Sequence, residues 1–187
     1  MVLPGHLSGG FIASTAILSI LQPALSPGEM NTILFIGTLA GDFPDIDLIR
    51  LYFAEKRPHD SNHKNANHRE YITHTPIAWL TISAIIFLIG TIFDSAFTQC
   101  LALVILAGSW SHLLFDSIEY GTMWFWPLTN KRIKLFERMP VAHITARPGS
   151  FASHWQYVKG AYLKTWTFWA EIVVTIVAVV VFYKTVL

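Results

Sequence analysis

Eight imidazole and carboxylate side chains are spaced along the chain in a way that suits a divalent metal: His6, Asp42, Asp45, Asp47, His68, His74, His112 and Asp116. Neutral imidazole and carboxylate are standard ligands for zinc, manganese and iron. His112 and Asp116 are four residues apart, so on a helix they share a face. The plain alternative is a hydrogen-bonded pair at a helix end. Asp42-Phe43-Pro44-Asp45-Ile46-Asp47 packs three carboxylates into six residues behind an apolar stretch. At a helix C-terminus this charge opposes the dipole and needs a positive partner: a metal ion, or more plainly Arg50 or solvent. Asp47 reads as a ligand or as a support for one. In His68-Arg69-Glu70-Tyr71-Ile72-Thr73-His74 the imidazoles are six residues apart, which on one helix points them about 120° from each other. They reach one site only through a backbone bend or through two ions, and Pro76 favours a bend by disfavouring helix at Thr75. Arg69 can pair a carboxylate or grip a phosphate bidentately. His6 taken alone reads as a solvated terminal histidine.

These side chains need elements to carry them. The chain has 187 residues, 53% hydrophobic and 13% charged, with net charge +1. An average soluble domain is about 25% charged, so membrane residence is the simplest expectation. The absence of a basic field argues against nucleic acid as a partner. The fold class expected is an all-α, polytopic membrane helical bundle of about five membrane-embedded helices. They run from about His6 to Leu21, Asn31 to Gly41, Thr75 to Phe93, Phe97 to Phe115 and Trp166 to Tyr183. The last contains a β-branched run, but an isolated strand in lipid cannot satisfy its backbone, so helix is expected. One domain of residues 1–187 is expected, with a core of 1–130, a cytoplasmic loop of 131–164 and a C-terminal transmembrane helix of 165–187. No Lys or Arg precedes the first apolar stretch, so that helix is expected to remain rather than be cleaved as a signal peptide. Cys100 reads as a small buried hydrophobe. Glu171, the one acid in the last segment, reads as interfacial.

Charge sets the expected orientation. Residues 48–74 and 119–164 together hold 12 of the 13 Lys and Arg residues. The positive-inside rule puts both stretches in the cytoplasm and the N-terminus with them. All eight metal-ligand candidates then fall on the cytoplasmic side, although Lys and Arg alone set the orientation.

The ordered set His6 with Gly9-Gly10, Asp42-x-Pro44-Asp45-x-Asp47, His68-Arg69 with Thr73-His74, His112-x-x-x-Asp116, Gly121 and Trp126-Pro127-Leu128 resembles the YdjM-like family over roughly residues 1–130. That family comprises membrane-bound proteins of bacterial inner membranes assigned as metal-dependent hydrolases, some described as LexA-regulated. Here the two histidines of the third motif stand one residue further apart than in the family's His-Arg-x-x-Thr-His. The resemblance therefore leaves open whether His68 and His74 share an ion. A more distant motif similarity, through His112-x-x-x-Asp116, is to zinc-dependent phospholipase C.

The resemblance implies a metal-dependent hydrolase of the bacterial inner membrane, with its active site facing the cytoplasm. The expected reaction is phosphoester hydrolysis of a lipid or another amphiphile. Two or more divalent ions are expected, zinc first, with manganese or iron as alternatives. Asp45 or Glu70 would act as general base and Arg69 would stabilise phosphoryl charge. A different class of function uses the same cluster without catalysis, as a metal sensor or scaffold. Conduction is disfavoured, because away from their inner ends the third and fourth apolar segments carry only Thr, Ser and Gln as polar residues.

Overall fold

The computed structural model describes residues 3–47, 71–136 and 151–186. Six helices run through them: α1 (Leu3–Leu21), α2 (Pro27–Ala40), α3 (Pro76–Ile92), α4 (Ala96–Glu119), α5 (Phe151–Gly160) and α6 (Trp166–Val186). Short 3-10 turns occupy Phe43–Ile46, Ile72–His74 and Tyr162–Lys164. Among the described residues there is no strand, only one antiparallel bridge between Thr122 and Ile133. The all-α membrane architecture is therefore as expected.

Among the described residues, three stretches are long and apolar enough to cross a bilayer: Pro4–Leu21, Ala96–Ile118 and Trp166–Thr185. Helix α3 has 17 residues and α2 has 14. At a rise of about 1.5 Å per residue they reach only about 25 Å and 21 Å, short of the ~30 Å hydrocarbon core. Both lean on span-length neighbours, α3 on α4 and α2 on α1 and α4. The outward faces of α3 and α6 expose Ile85, Leu88, Ile92, Val173, Ile176 and Val179, as helices bounded by lipid would.

Three boundaries differ from expectation, each for a local reason. Helix α2 starts at Pro27 rather than Asn31, because Ser26 builds a capping box with Glu29 and Pro27 takes the first turn, where no N–H is needed. Helix α4 runs one turn past Phe115 to Glu119, which carries Asp116 inside the helix. Residues Phe151–Gly160 are helical where only loop was expected; Phe151, Trp155 and Val158 recur at helical spacing.

Helices α1, α2 and α4 meet with their backbones nearly touching. A Cβ on Gly108 of α4 would lie 2.6 Å from the Gly37 carbonyl oxygen, and one on Gly41 would overlap the His6 carbonyl oxygen. Small residues permit such approach between membrane helices. One core cluster fills the far part of the bundle with Phe11, Leu18, Ile33, Leu34, Cys100, Val104 and Ala178, so Cys100 is the buried hydrophobe expected. A second cluster of Ala40, Trp79, Ile105 and Leu113 packs nearer the polar site.

Candidate metal centre

The polar residues collect where α1 and α3 begin and where α2 and α4 end. Thr75 is extended (φ −117°, ψ 137°) ahead of Pro76, as a residue before proline must be. That bend takes His74 off helix α3 and onto a 3-10 turn packed against Phe43–Ile46. His74 Nδ1 donates to Asp47 Oδ2 at 2.9 Å. A carboxylate can only accept, so Nδ1 carries a proton, and Nε2, 3.2 Å from Asp45 Oδ1, calls for a second proton or a cation between the two. Asp47 Oδ2 also accepts from Thr73 Oγ1 at 2.6 Å, and Trp79 Nε1 donates to the Thr73 carbonyl at 2.7 Å. Burial pulls the His74 pKa down, but the hydrogen bonds to Asp45 and Asp47 and the Asp47 charge outweigh it, leaving the pKa above its ordinary value.

Helix α4 supplies His112 and Asp116, one turn apart and both fully buried. His112 Nδ1 donates to the Gly41 carbonyl oxygen at 2.8 Å. A carbonyl also only accepts, so the lone pair lies on Nε2. That atom is buried without a hydrogen-bond partner, 3.6 Å from Asp45 Oδ1 and 3.9 Å from Asp116 Oδ2. Helix α1 adds His6, whose ring stacks on His112 with centroids 3.9 Å apart and an interplanar angle of 22°. Its Nε2 is 3.8 Å from Asp116 Oδ1, and His74 Nε2 is 4.0 Å from Asp116 Oδ2.

These spacings suit one cation. Donors about 2.0–2.1 Å from a tetrahedral zinc are roughly 3.3–3.4 Å apart, close to the shorter separations here. Among the described residues, two groups have all their ligand atoms within 4.8 Å of one another: His6 with His112 and Asp116, and Asp45 with His74 and His112. Both depend on His112, and its Nδ1 is already committed to Gly41. A single nitrogen therefore serves both groups, and they form one centre around His112 rather than two separate ones.

Of the residues singled out by sequence, the structure gathers His6, Asp45, His74, His112 and Asp116. Asp47 stands behind His74 rather than beside the shared nitrogen. Asp42 is half-buried, belongs to neither ligand group and keeps Oδ1 without a hydrogen-bond partner. Burial, and next the charge of Asp45, push its carboxyl pKa up to about 6. His68, Arg69 and Glu70 lie outside the described residues. Sequence patterns did not point to the Gly41 carbonyl as part of the site, and Thr73 appeared only within the family motif. No residue type signals that a carbonyl will orient an imidazole. Glu171 did carry a signal, a lone acid in an apolar helix. It is buried within the protein, 4% exposed.

The chain matches the YdjM inner membrane protein family over residues 1–186 and belongs to that family. No curated protein and no solved structure matches it. Family and span-length helices together make it a membrane protein.

Proposed function

We propose that this YdjM-family protein is a membrane-bound, metal-dependent hydrolase of the phosphoester class, acting on a lipid or another amphiphile at the cytoplasmic leaflet. One observation carries the reading: His112 Nε2, buried and without a hydrogen-bond partner, has its lone pair fixed toward Asp45 and Asp116. A buried acceptor held against carboxylates is costly unless a cation joins them. His112, His74, Asp45 and Asp116 would hold a divalent ion, zinc first, with manganese or iron as alternatives, and His6 would complete the set. Such an ion, when bound, supplies Lewis-acid polarisation and a lowered pKa for water.

The chain's own residues divide the remaining work. Asp45 is the most open member, its side chain 22% exposed against 0% for His112, and would accept a proton from the attacking water through the oxygen not used by the ion. Glu70 is the alternative base, and Arg69 would neutralise phosphoryl oxygens. The basic stretch at Lys131, Arg132 and Lys134, beside exposed Phe125 and Leu128, would attract an anionic headgroup. The distribution of Lys and Arg supports the cytoplasmic side for the site.

A second reading has its own observation. His74, His112 and Asp116 are at most 1% exposed, and closed metal sites are more often structural than catalytic. A metal sensor or scaffold would look like this. Elemental analysis of the purified protein, followed by a panel of phosphodiester and phosphomonoester lipids, separates the two. Hydrolysis requires turnover that Asp45→Ala and His112→Ala both abolish. Bound metal without turnover on any ester leaves the sensor, and a chain that binds no metal ends both readings.

A further inference from the structure

Glu171 lies on α6 inside a stretch apolar enough to cross a membrane, yet it is 4% exposed. An ionisable side chain there is costly and calls for a functional account. Its Oε1 accepts the backbone N–H of Gly5 at 2.8 Å, and its Oε2 accepts the Tyr162 hydroxyl. Gly5 is in the first turn of α1, where backbone donors have no helical partner and the dipole favours a carboxylate. The approach is close enough to require glycine, since a Cβ on Gly5 would lie 2.8 Å from Glu171 Cγ. One turn along, Ser8 Oγ and Thr175 Oγ1 meet at 3.3 Å and extend the seam.

The next residue is His6, and it differs from its two partner imidazoles. His74 is oriented by Asp47 and His112 by the Gly41 carbonyl. His6 Nδ1 is buried with no hydrogen-bond partner. Its ring is held by stacking on His112, a tilted contact with Phe115 and the charge of Asp116, 3.8 Å from Nε2, so the backbone that carries it matters the more. The clamp on that backbone is Glu171.

We propose that Glu171 is a positioning residue for the metal centre: by tying the first turn of α1 to α6, it sets His6 against His112 and Asp116. The C-terminal helix is then a working part of the site. This rests on the metal-centre reading, and the test keeps the two apart.

Cobalt(II) binding to the full-length protein in detergent micelles gives both an affinity and a ligand-sensitive visible spectrum. The chains compared are wild type, Glu171→Ala, His6→Ala and the double variant. The expected result is a weakening of about 10–100-fold for Glu171→Ala, the size seen when outer-shell supports of a metal site are removed. Its spectrum should move to that of His6→Ala. In the His6→Ala background, Glu171→Ala should add less than about twofold, because coupled residues are non-additive. A merely structural role would change affinity equally with and without His6, and that result overturns the proposal, as does wild-type affinity in Glu171→Ala. Should Glu171→Ala fail to fold, Tyr162→Phe and Glu171→Gln decide. Each should weaken cobalt binding less than His6→Ala does, and two variants indistinguishable from wild type refute the clamp. A wild-type chain that binds no cobalt would sink the metal centre itself, and the clamp with it.

Discussion

Replacing Asp47 by Asn tests whether an oriented imidazole underlies the site. Asp47 is 6% exposed, and its Oδ2 accepts from both His74 Nδ1 and Thr73 Oγ1. Asn keeps the shape and removes the charge. If its amide oxygen faces His74, the tautomer survives but the imidazole becomes a weaker base. If its amide nitrogen faces His74, Nδ1 must accept, the proton moves to Nε2, and the ring can no longer ligate. Either way metal affinity falls. Loss of such supports costs about 10–100-fold, which is about 1.4–2.7 kcal/mol. Competition against a calibrated chelator, with zinc and detergent-solubilised apoprotein at fixed pH, reads this directly.

His74→Ala sets the lower bound, because it deletes the ligand itself. Asp47→Asn should be no weaker than His74→Ala, and the double variant no weaker than His74→Ala alone. Affinity within twofold of wild type for Asp47→Asn would refute the reasoning. A loss larger than that of His74→Ala would make Asp47 a ligand in its own right. Asp47→Ala should in addition destabilise the fold, because the buried His74 N–H loses its acceptor at about 1–3 kcal/mol, and the half-buried Thr73 hydroxyl loses its own.

Further outcomes follow from the same geometry. Both His74, held above 6.5, and Asp42, raised from 3.8 to about 6, favour their protonated forms in the fold. Their contribution to apoprotein stability is whole below those ordinary values and is lost as pH rises through the raised ones. The Asp42 contribution is therefore lost between about pH 3.8 and 6, and above pH 6.5 the apoprotein should lose further thermal stability through His74, while zinc affinity rises by up to about tenfold per unit as the His74 proton becomes easier to displace. Thermal melts with and without chelator check both signs, and an apoprotein that gains stability over this window contradicts the assignment. Gly41→Ala should cost about 1–3 kcal/mol by overpacking and should weaken zinc binding, because the new Cβ overlaps the His6 carbonyl oxygen. Gly28→Ala, which meets open space, should change neither melt nor affinity. Zinc at 100 times its Kd should stabilise wild type by about 2.7 kcal/mol, and the same zinc activity should leave the His112→Ala melting temperature unmoved.

Much of this was legible in residue types and spacing. His112 and Asp116 announced a shared helix face, and Pro76 announced the bend that frees His74 from the helix. Lys and Arg asymmetry placed the ligand candidates on one side, and His6, Asp45, His74, His112 and Asp116 do lie together. The start of α2 was misjudged because Pro27 reads as a turn residue until Ser26 is recognised as its cap. Other features had no signature at all. Hydropathy cannot show that Gly41 will offer its carbonyl to His112, because that depends on α2 and α4 nearly touching.

The two orienting acceptors differ in kind, and the difference has a chemical consequence. His74 is backed by a carboxylate and His112 by a neutral carbonyl. A carboxylate behind an imidazole raises its basicity, which strengthens it as a ligand and also strengthens the proton that competes with the metal. His74 also faces Asp45 directly at 3.2 Å, so a proton on its Nε2 is stabilised from both sides. Acidification should therefore open the centre at His74 first, on the turn beside Asp45, its most exposed member. His112, enclosed by α1, α2 and α4, would let go last. Paramagnetic cobalt(II) shifts of the imidazole protons followed against pH should show the His74 resonances lost before those of His112. The reverse order would mean that burial, not the backing group, governs how this centre holds its ion.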